Sequence, residues 1–245
     1  MLNRNKSIPL YEQLKQIIEE KIKSGDWKPD DQLPSERELV EQYEVSRITV
    51  RQAINLAERD GLVKRIHGVG TFVTQPKIKQ ELGKFNTFQS TLQQQGLIAS
   101  TKLLKSSVIT SDFQLARLLD IDVMEKMINL ELVGYGDSSP IVYYNSYFSY
   151  SVGEQMKKAA EQALKEEKPF STLDLYQSLD FEPTHVEQTF EALSTTEQLS
   201  KILDVDIHFP LFRVTSMVYQ DKIPLEFKET YYRGDKYKFF ITRQM

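Results

Sequence analysis

Two helix starts, at Ser35 and Ser46, with only Glu44-Val45 between the helices they open, constrain this chain more than any other feature. Ser35-Glu-Arg-Glu38 has the form of a capping box, in which the serine hydroxyl accepts from the backbone N–H three residues on and the glutamate reaches back. The short helix it opens carries Leu39, Val40 and Tyr43. Ser46 caps the next helix, whose Val50, Ala53, Ile54 and Ala57 recur at helical spacing and face inward. Upstream, Ser7 stands where it can cap a first helix and Pro9 where a missing N–H costs nothing. Leu10, Leu14, Ile17, Ile18 and Ile22 then form one apolar stripe, which ends at Ser24-Gly25-Asp26. The third helix stops at Asp60-Gly61. Leu62–Ile66, His67-Gly-Val-Gly70 and Thr71–Thr74 follow as a strand, a glycine-rich turn and a second strand. Three short helices and a hairpin in this order predict a winged helix-turn-helix.

Such a motif lays its second helix in the DNA major groove. Arg47 and Arg51 are four residues apart and so project from one face, with Thr49 beside them. An arginine can grip a guanine edge or a phosphate, and both readings stand for each of the two. Ser35 and Ser46 leave helix N-termini and hydroxyls available for phosphates, or, for Ser35, serve only as a cap. Arg37, in the first turn of its helix, reaches toward the backbone. Gly68 and Gly70 permit conformations and a close approach that a Cβ forbids. His67 at the tip either enters a minor groove or is an exposed turn residue, and Arg59 and Lys64 read as solvated surface. The net charge of −4 is no objection, because binding needs a positive face rather than a positive average. From Ser46 to Gln75, Arg47, Arg51, Arg59, Lys64 and Arg65 face only Glu58 and Asp60.

The segment Gln75-Pro-Lys-Ile-Lys-Gln80 has no apolar periodicity and reads as a linker. The expected domains are therefore 1–75, a linker at 76–80, and 81–245. Beyond the linker, strand-like segments dominate: Thr101–Thr110, Met127–Tyr135, Ile141–Phe148, His185–Leu193, Leu211–Tyr219, Leu225–Tyr232 and Tyr237–Thr242. Helices are expected at Thr87–Gln95, Asp112–Leu119, Gly153–Lys165, Thr172–Leu179 and Thr196–Leu203. Turns at Gly136-Asp-Ser-Ser-Pro140 and Gln220-Asp-Lys-Ile-Pro224 predict antiparallel pairing and look like a weak internal repeat.

Several function classes are disfavoured. The chain has no cysteine, and its three histidines, His67, His185 and His208, are far apart, so neither a metal nor any other cofactor is expected. No run of 18 apolar residues and no signal-peptide core is visible, so no membrane partner is expected and the cytoplasm is the expected location. No Ser/His/Asp set or phosphate-cradling glycine loop supports catalysis, and RNP-type aromatic motifs of RNA binders are missing.

Leu33-Pro-Ser-Glu-Arg-Glu-Leu39, Val45-Ser-Arg-Ile-Thr-Val-Arg51 and Gly68-Val-Gly-Thr-Phe-Val73 resemble, in order and spacing, the DNA-binding domain of the GntR superfamily of bacterial repressors. The resemblance covers nearly all of residues 7 to 74. It implies that Arg37, Arg47, Thr49 and Arg51, with the wing around His67 and Gly68, contact operator DNA, and that a homodimer reads a short pseudo-palindrome. Phe85-Asn-Thr-Phe88, Leu118-Leu-Asp120 and Tyr231-Tyr-Arg-Gly-Asp-Lys-Tyr-Lys-Phe239 resemble the UTRA effector-binding domain of the HutC branch. That likeness implies an α+β chain whose second domain has the chorismate-lyase fold, an antiparallel sheet flanked by helices. It also implies a small-molecule effector, a sugar, sugar phosphate or amine-bearing conjugate. The implied effector positions are Thr87, Asn129, Glu131, Tyr144, Thr172, Glu226 and Tyr232. Many relatives carry arginines where this chain has Asn129 and Glu131, so the effector is expected to be less anionic or to carry an amine that Glu131 pairs with. Alternatively, Asn129 and Glu131 are polar strand residues on a solvated surface. A repressor of a sugar, amino-sugar or related catabolic operon is the expected role. An activator or co-repressor-dependent regulator is the alternative, and an enzyme of the chorismate-lyase fold a remote one.

Overall fold

A computed structural model describes residues 2, 4, 8–74, 77–83 and 86–243, and the chain divides into two compact units, 1–76 and 77–245. Ser7, Gln75, Pro76 and Phe85 lie outside the described residues.

In the first unit, helices α1 (Leu10–Lys23), α2 (Glu36–Tyr43) and α3 (Arg47–Arg59) precede the hairpin of β1 (Val63–Ile66) and β2 (Gly70–Val73). Pro9 occupies the N-cap of α1, two residues after the Ser7 cap position expected, and its carbonyl accepts from the Glu12 and Gln13 N–H groups. Leu14, Ile18, Leu39, Val50, Ala53, Ile54 and Ala57 close one core with Val63 and Val73 of the hairpin. Each helix alone is short for independent stability, so this shared core holds all three. The strand β2 also meets the loop after α1, through a bridge between Gln32 and Phe72.

The second unit is built on a six-stranded antiparallel sheet, in the order β4-β5-β6-β9-β8-β7. Its strands are β4 (Ala99–Thr110), β5 (Lys126–Gly136), β6 (Ser139–Ser149), β7 (His185–Ser194), β8 (Pro210–Gln220) and β9 (Ile223–Arg233). Helices α4 (Phe88–Gln93), α6 (Tyr150–Lys165) and α7 (Thr172–Leu175) belong to one side, α5 (Phe113–Leu119) and α8 (Glu197–Leu203) to the other. A further strand, β3 (Ile78–Glu81), runs parallel to β10 (Tyr237–Phe240). It takes in Ile78, Lys79 and Gln80, which sequence reading assigned to a linker. Its pairing is made by backbone groups from the far end of the chain, and only Ile78 is buried deeply enough to leave an apolar signature.

The weak repeat is a full one. Phe113–Leu119 and Glu197–Leu203, Lys126–Gly136 and Pro210–Gln220, Ser139–Ser149 and Ile223–Arg233 are pairs of equal length, each 84 residues apart. The details repeat as well. Ser111 and Thr195 hydroxyls donate to the carbonyls of Asp122 and Asp206 at 2.8 and 2.7 Å. Asp120 and Asp204 both end their helices in the left-handed region, and the bulges fall at Gly134/Tyr135 and Val218/Tyr219. The inner strands β6 and β9 meet at the centre, and α5 packs on β9 while α8 packs on β6, so the halves interlock. One difference between the halves matters for function. The long helix α6 covers β4, β5 and β6, with Gly153 lying directly on Ile128. Over the second half, among the described residues, no comparable helix follows β9, and the sheet is left open.

Candidate nucleic-acid interface and effector cavity

The two serines cap as the sequence requires. Ser35 Oγ accepts from Glu38 N at 3.2 Å while Glu38 Oε2 accepts from Ser35 N at 2.7 Å. Ser46 Oγ accepts from Thr49 N at 3.1 Å and lies 2.8 Å from Thr49 Oγ1. These caps set where α3 begins and hence which residues its outer face presents. Arg47 and Arg51 stand side by side on that face, 74% and 62% exposed. Both donate through Nε to one carboxylate, Glu36 at the start of α2. Partial burial works against the Glu36 anion, but the bonds from Arg51 and Arg47 outweigh it and hold its carboxyl below the usual carboxylate range. Arg37 is exposed and donates to Glu41 at 3.0 Å. The wing turn closes with Val69 N donating to Ile66 O at 3.0 Å, and Gly68 has a φ of 75°, which favours glycine. His67 is exposed at the tip, and Gly70 opens β2 against Gln32, whose Nε2 donates to Val69 O. Arg65 ties the wing to α3 through Asn55 and Glu58. All nine sequence-predicted contact residues are described, and Arg47, Thr49 and Arg51 share one surface with the Ser46 cap.

Sequence reading passed over Ile48, which is 70% exposed between Arg47 and Thr49. An isoleucine turned to solvent on the outer face of a short amphipathic helix breaks the helix's own apolar pattern, and that misplacement was the available signal. An apolar group there is suited to a thymine methyl.

In the second unit, a cavity of about 750 Å³ opens over the uncovered half of the sheet. Its floor includes Val214 and Ser216 of β8 and Lys228, Thr230 and Tyr232 of β9. Thr87 and Phe88 at the start of α4, Asp174 of α7 with Tyr176 just after it, and Tyr237 and Phe239 of β10 form walls. The site is aromatic and polar at once. Burial raises the pKa of Tyr144, Tyr232 and Tyr237, so each hydroxyl stays protonated and able to donate. Asp174 accepts from Ser171 N at 2.7 Å and Phe88 N at 3.2 Å, joining the start of α7 to that of α4.

Part of this floor is a buried ion pair. Lys228 Nζ donates to Thr172 Oγ1 at 3.0 Å and stands 3.6 Å from Glu226 Oε1, which also accepts from the Thr172 hydroxyl at 2.6 Å. Neither Glu226 Oε2 nor the Tyr176 hydroxyl has a hydrogen bond of good geometry, yet burial and the nearby carboxylate together raise the phenol's pKa.

Of the seven residues expected at the effector, Thr87, Tyr144 and Tyr232 line the cavity. Thr87 also caps α4, accepting from Ser90 N at 3.1 Å. Thr172 and Glu226 are not among the lining residues, and both contact Lys228, which is. Asn129 and Glu131 do share a strand face, but it is the opposite one, with Val133 and Tyr143 rather than Leu130 and Tyr144. There Asn129 Nδ2 donates to Asn145 Oδ1 at 2.7 Å, and Glu131 accepts from the Tyr143 hydroxyl at 2.8 Å and pairs with Lys105. Strand side chains alternate between faces, so a one-residue difference in alignment is enough to move such a pair across the sheet. Lys228, Ser216 and Thr230 were missed because nothing local marks a strand lysine as buried; only the partner from α7, 56 residues away, does so.

Comparison with known proteins gives a consistent picture. Residues 10–73 match the profile described as bacterial regulatory proteins, gntR family, and residues 94–238 match that of the UTRA domain. The chain is 28% identical over 239 residues to the HTH-type transcriptional repressor NagR of Bacillus subtilis (strain 168), spanning 97% of this chain and 96% of that protein. It is 32% identical over 216 residues to the HTH-type transcriptional repressor PhnF of Mycolicibacterium smegmatis, spanning 85% and 83%. The crystal structure of PhnF from Mycobacterium smegmatis superposes with a TM-score of 0.68 at 27% identity, covering 96% of this chain and 98% of that one.

Proposed function

Because the chain belongs to the GntR family of bacterial regulatory proteins, with a winged helix-turn-helix followed by a UTRA domain, we propose that it is a metabolite-released repressor working as a homodimer. The observation that carries this reading is the capped α3, which sets Arg47 and Arg51 together on an exposed face beside the wing. Arg37, Ser35, Ser46, Thr49, His67, Gly68 and Gly70 complete the interface with a pseudo-palindromic operator in the cytoplasm. An isologous dimer places two such heads on two half-sites. Relatives named as repressors, including the mannosyl-D-glycerate transport/metabolism system repressor MngR of Escherichia coli (strain K12), support a catabolic operon as the target. No catalytic step belongs to this role. Among the described residues no group of three or more potential ligands gathers for a metal, and no helix is long and apolar enough to cross a membrane.

The effector occupies the 750 Å³ cavity, with Thr87, Tyr144 and Tyr232 as hydroxyl donors. Its chemistry is that of a polyhydroxylated molecule of low negative charge. Among the described residues no arginine lines the cavity, and Lys228 is already matched by Glu226. Asp174, Glu81 and Glu182 add negative charge to the wall, while Phe88, Tyr232 and Phe239 offer faces for a sugar ring. Glu131 faces away from this cavity, so the preference against anions rests on the lining and not on that residue. Thr172 and Glu226 hold the floor through Lys228, and Asn129 acts on the far face as a strand partner.

The test is a thermal-shift panel of neutral sugars, amino sugars and sugar phosphates, followed by a gel shift on DNA upstream of the chain's own gene. A ligand at a hundred times its Kd stabilises by about 2.7 kcal/mol, which a melt resolves easily. Neutral or amine-bearing compounds should raise the melting temperature and release the DNA. If only phosphorylated sugars do so, the charge reading is wrong; if a stabilising ligand tightens DNA binding, the protein is co-repressor-dependent.

A further inference from the structure

Arg47 and Arg51 share a single carboxylate, and the way they share it has consequences for reading DNA. Glu36 Oε2 accepts from Arg47 Nε at 3.3 Å, and both Glu36 oxygens accept from Arg51 Nε at 3.2 Å. A guanidinium has two donor edges, one including Nε and one made by the two terminal nitrogens. Glu36 takes only the first. The contacts with Glu36 leave the terminal edge, which matches O6 and N7 of a guanine or two phosphate oxygens, unused by that carboxylate on two largely exposed side chains. The carboxylate is itself well fixed. It belongs to the first residue of α2, beside the Ser35 capping box, and its side chain is 26% exposed where the arginines are 74% and 62%. The Arg37–Glu41 pair uses Nε in the same way, but both partners are largely exposed, so that pair is loose.

We propose that Glu36 is the positioning residue of the reading head: it holds Arg47 and Arg51 by their Nε–H groups and thereby gives the recognition helix its sequence discrimination. Two long side chains that would otherwise sample many rotamers are fixed before DNA arrives, so their ordering cost is met within the free protein. The same carboxylate lowers the positive charge of the face from two units to one. That weakens attachment to any phosphate backbone, so Glu36 gives up nonspecific affinity while securing the specific contact. A buttress of this kind separates two quantities that a direct contact changes together.

The inference rests on Arg47 and Arg51 being operator contacts, and the experiment is arranged to tell the two apart. Full-length protein selects its preferred duplex from a random library, and anisotropy titrations then measure affinity for that duplex and for a scrambled one. Glu36→Gln removes the charge and one acceptor. Glu36→Asp keeps the charge on a side chain too short to serve both arginines. Both variants should cut the ratio of specific to scrambled affinity by about tenfold or more per half-site, the scale of one good bidentate base contact. Only Glu36→Gln should also tighten binding to scrambled DNA. Glu20→Gln, an equal charge change on α1, should leave the ratio unchanged.

If Glu36→Gln raises both affinities equally and Glu36→Asp behaves as wild type, Glu36 is only a charge on the surface and the proposal fails. If Glu36→Gln melts early, Glu36→Asp alone decides, since it retains the helix-start carboxylate. Should Arg47→Ala and Arg51→Ala keep full discrimination, the reading of the interface itself is wrong. If those two lose discrimination and neither Glu36 variant does, only the positioning role is overturned.

Discussion

Replacing Lys228 by methionine removes a charge and a donor while keeping most of the side chain's volume. The ammonium is buried 3.6 Å from Glu226 Oε1 and 3.0 Å from Thr172 Oγ1, with side chains of Lys228 and Glu226 only 4% and 0% exposed. At an effective dielectric of about 20, charges at this separation attract by roughly 4–5 kcal/mol. Breaking a buried pair by deleting one partner costs about 3–5 kcal/mol, because the survivor is left uncompensated. A loss of about 3 kcal/mol lowers Tm by roughly 6–12 °C for a unit of this size. Glu226→Gln added to Lys228→Met removes the uncompensated charge and should restore most of the lost stability. The assay is a thermal melt of the full chain at pH 7. A single variant melting within about 2 °C of wild type, or a double variant less stable than the single, would refute the buried-pair argument.

Gly153→Ala puts a Cβ on α6 against Ile128, with Ile128 Cγ1 at 2.6 Å. Strand and helix must part, at a cost of about 1–3 kcal/mol, measurable as a fall in the denaturant midpoint at unchanged m-value. On α1, Glu19 accepts from Lys15 and Lys23 at 2.8 Å each, and those bonds, Lys15's first, hold its carboxyl at about 2 against an ordinary 4.5. A depressed pKa contributes stability above pH 4.5 that disappears as pH falls through about 2. Solvent screening limits the effect to about 1 kcal/mol. Melts of Lys15→Met, which also removes the Lys15–Asp60 pair, should therefore show a deficit at pH 6 that is much smaller at pH 2; a deficit independent of pH would assign it to packing.

The reading head was legible because its signals are local. A serine cap with Glu38 three residues on, an apolar stripe and two glycines around a turn each act within a few residues, so Ser35, Ser46 and the wing are where the pattern puts them. The strands of the second unit were equally legible as strand-like segments, as were the two turns that prove to be part of an 84-residue repeat. The cavity was less so, because it is assembled from distant segments. The chain's end supplies Tyr237 and Phe239, the strand after the first unit supplies Gln80, and the burial of Lys228 depends on Thr172. None of these contacts has a period to detect. Alternation also explains Asn129 and Glu131: their shared face was readable, but which side of the sheet that face looks toward is a tertiary fact. Glu36 was legible only as a helix-start carboxylate. Its hold on Arg47 and Arg51 requires the crossing of α2 and α3, which spacing alone does not specify.

The central claim is that α3 reads DNA through Arg47 and Arg51. It is tested most directly by the affinity of the full chain for the duplex it selects, wild type against Arg47→Ala and Arg51→Ala, at physiological salt. Each variant should stay folded, with an unchanged melt, and bind at least about tenfold more weakly, since one good base contact is worth about 1–3 kcal/mol. Two folded variants that bind as wild type does would contradict the account.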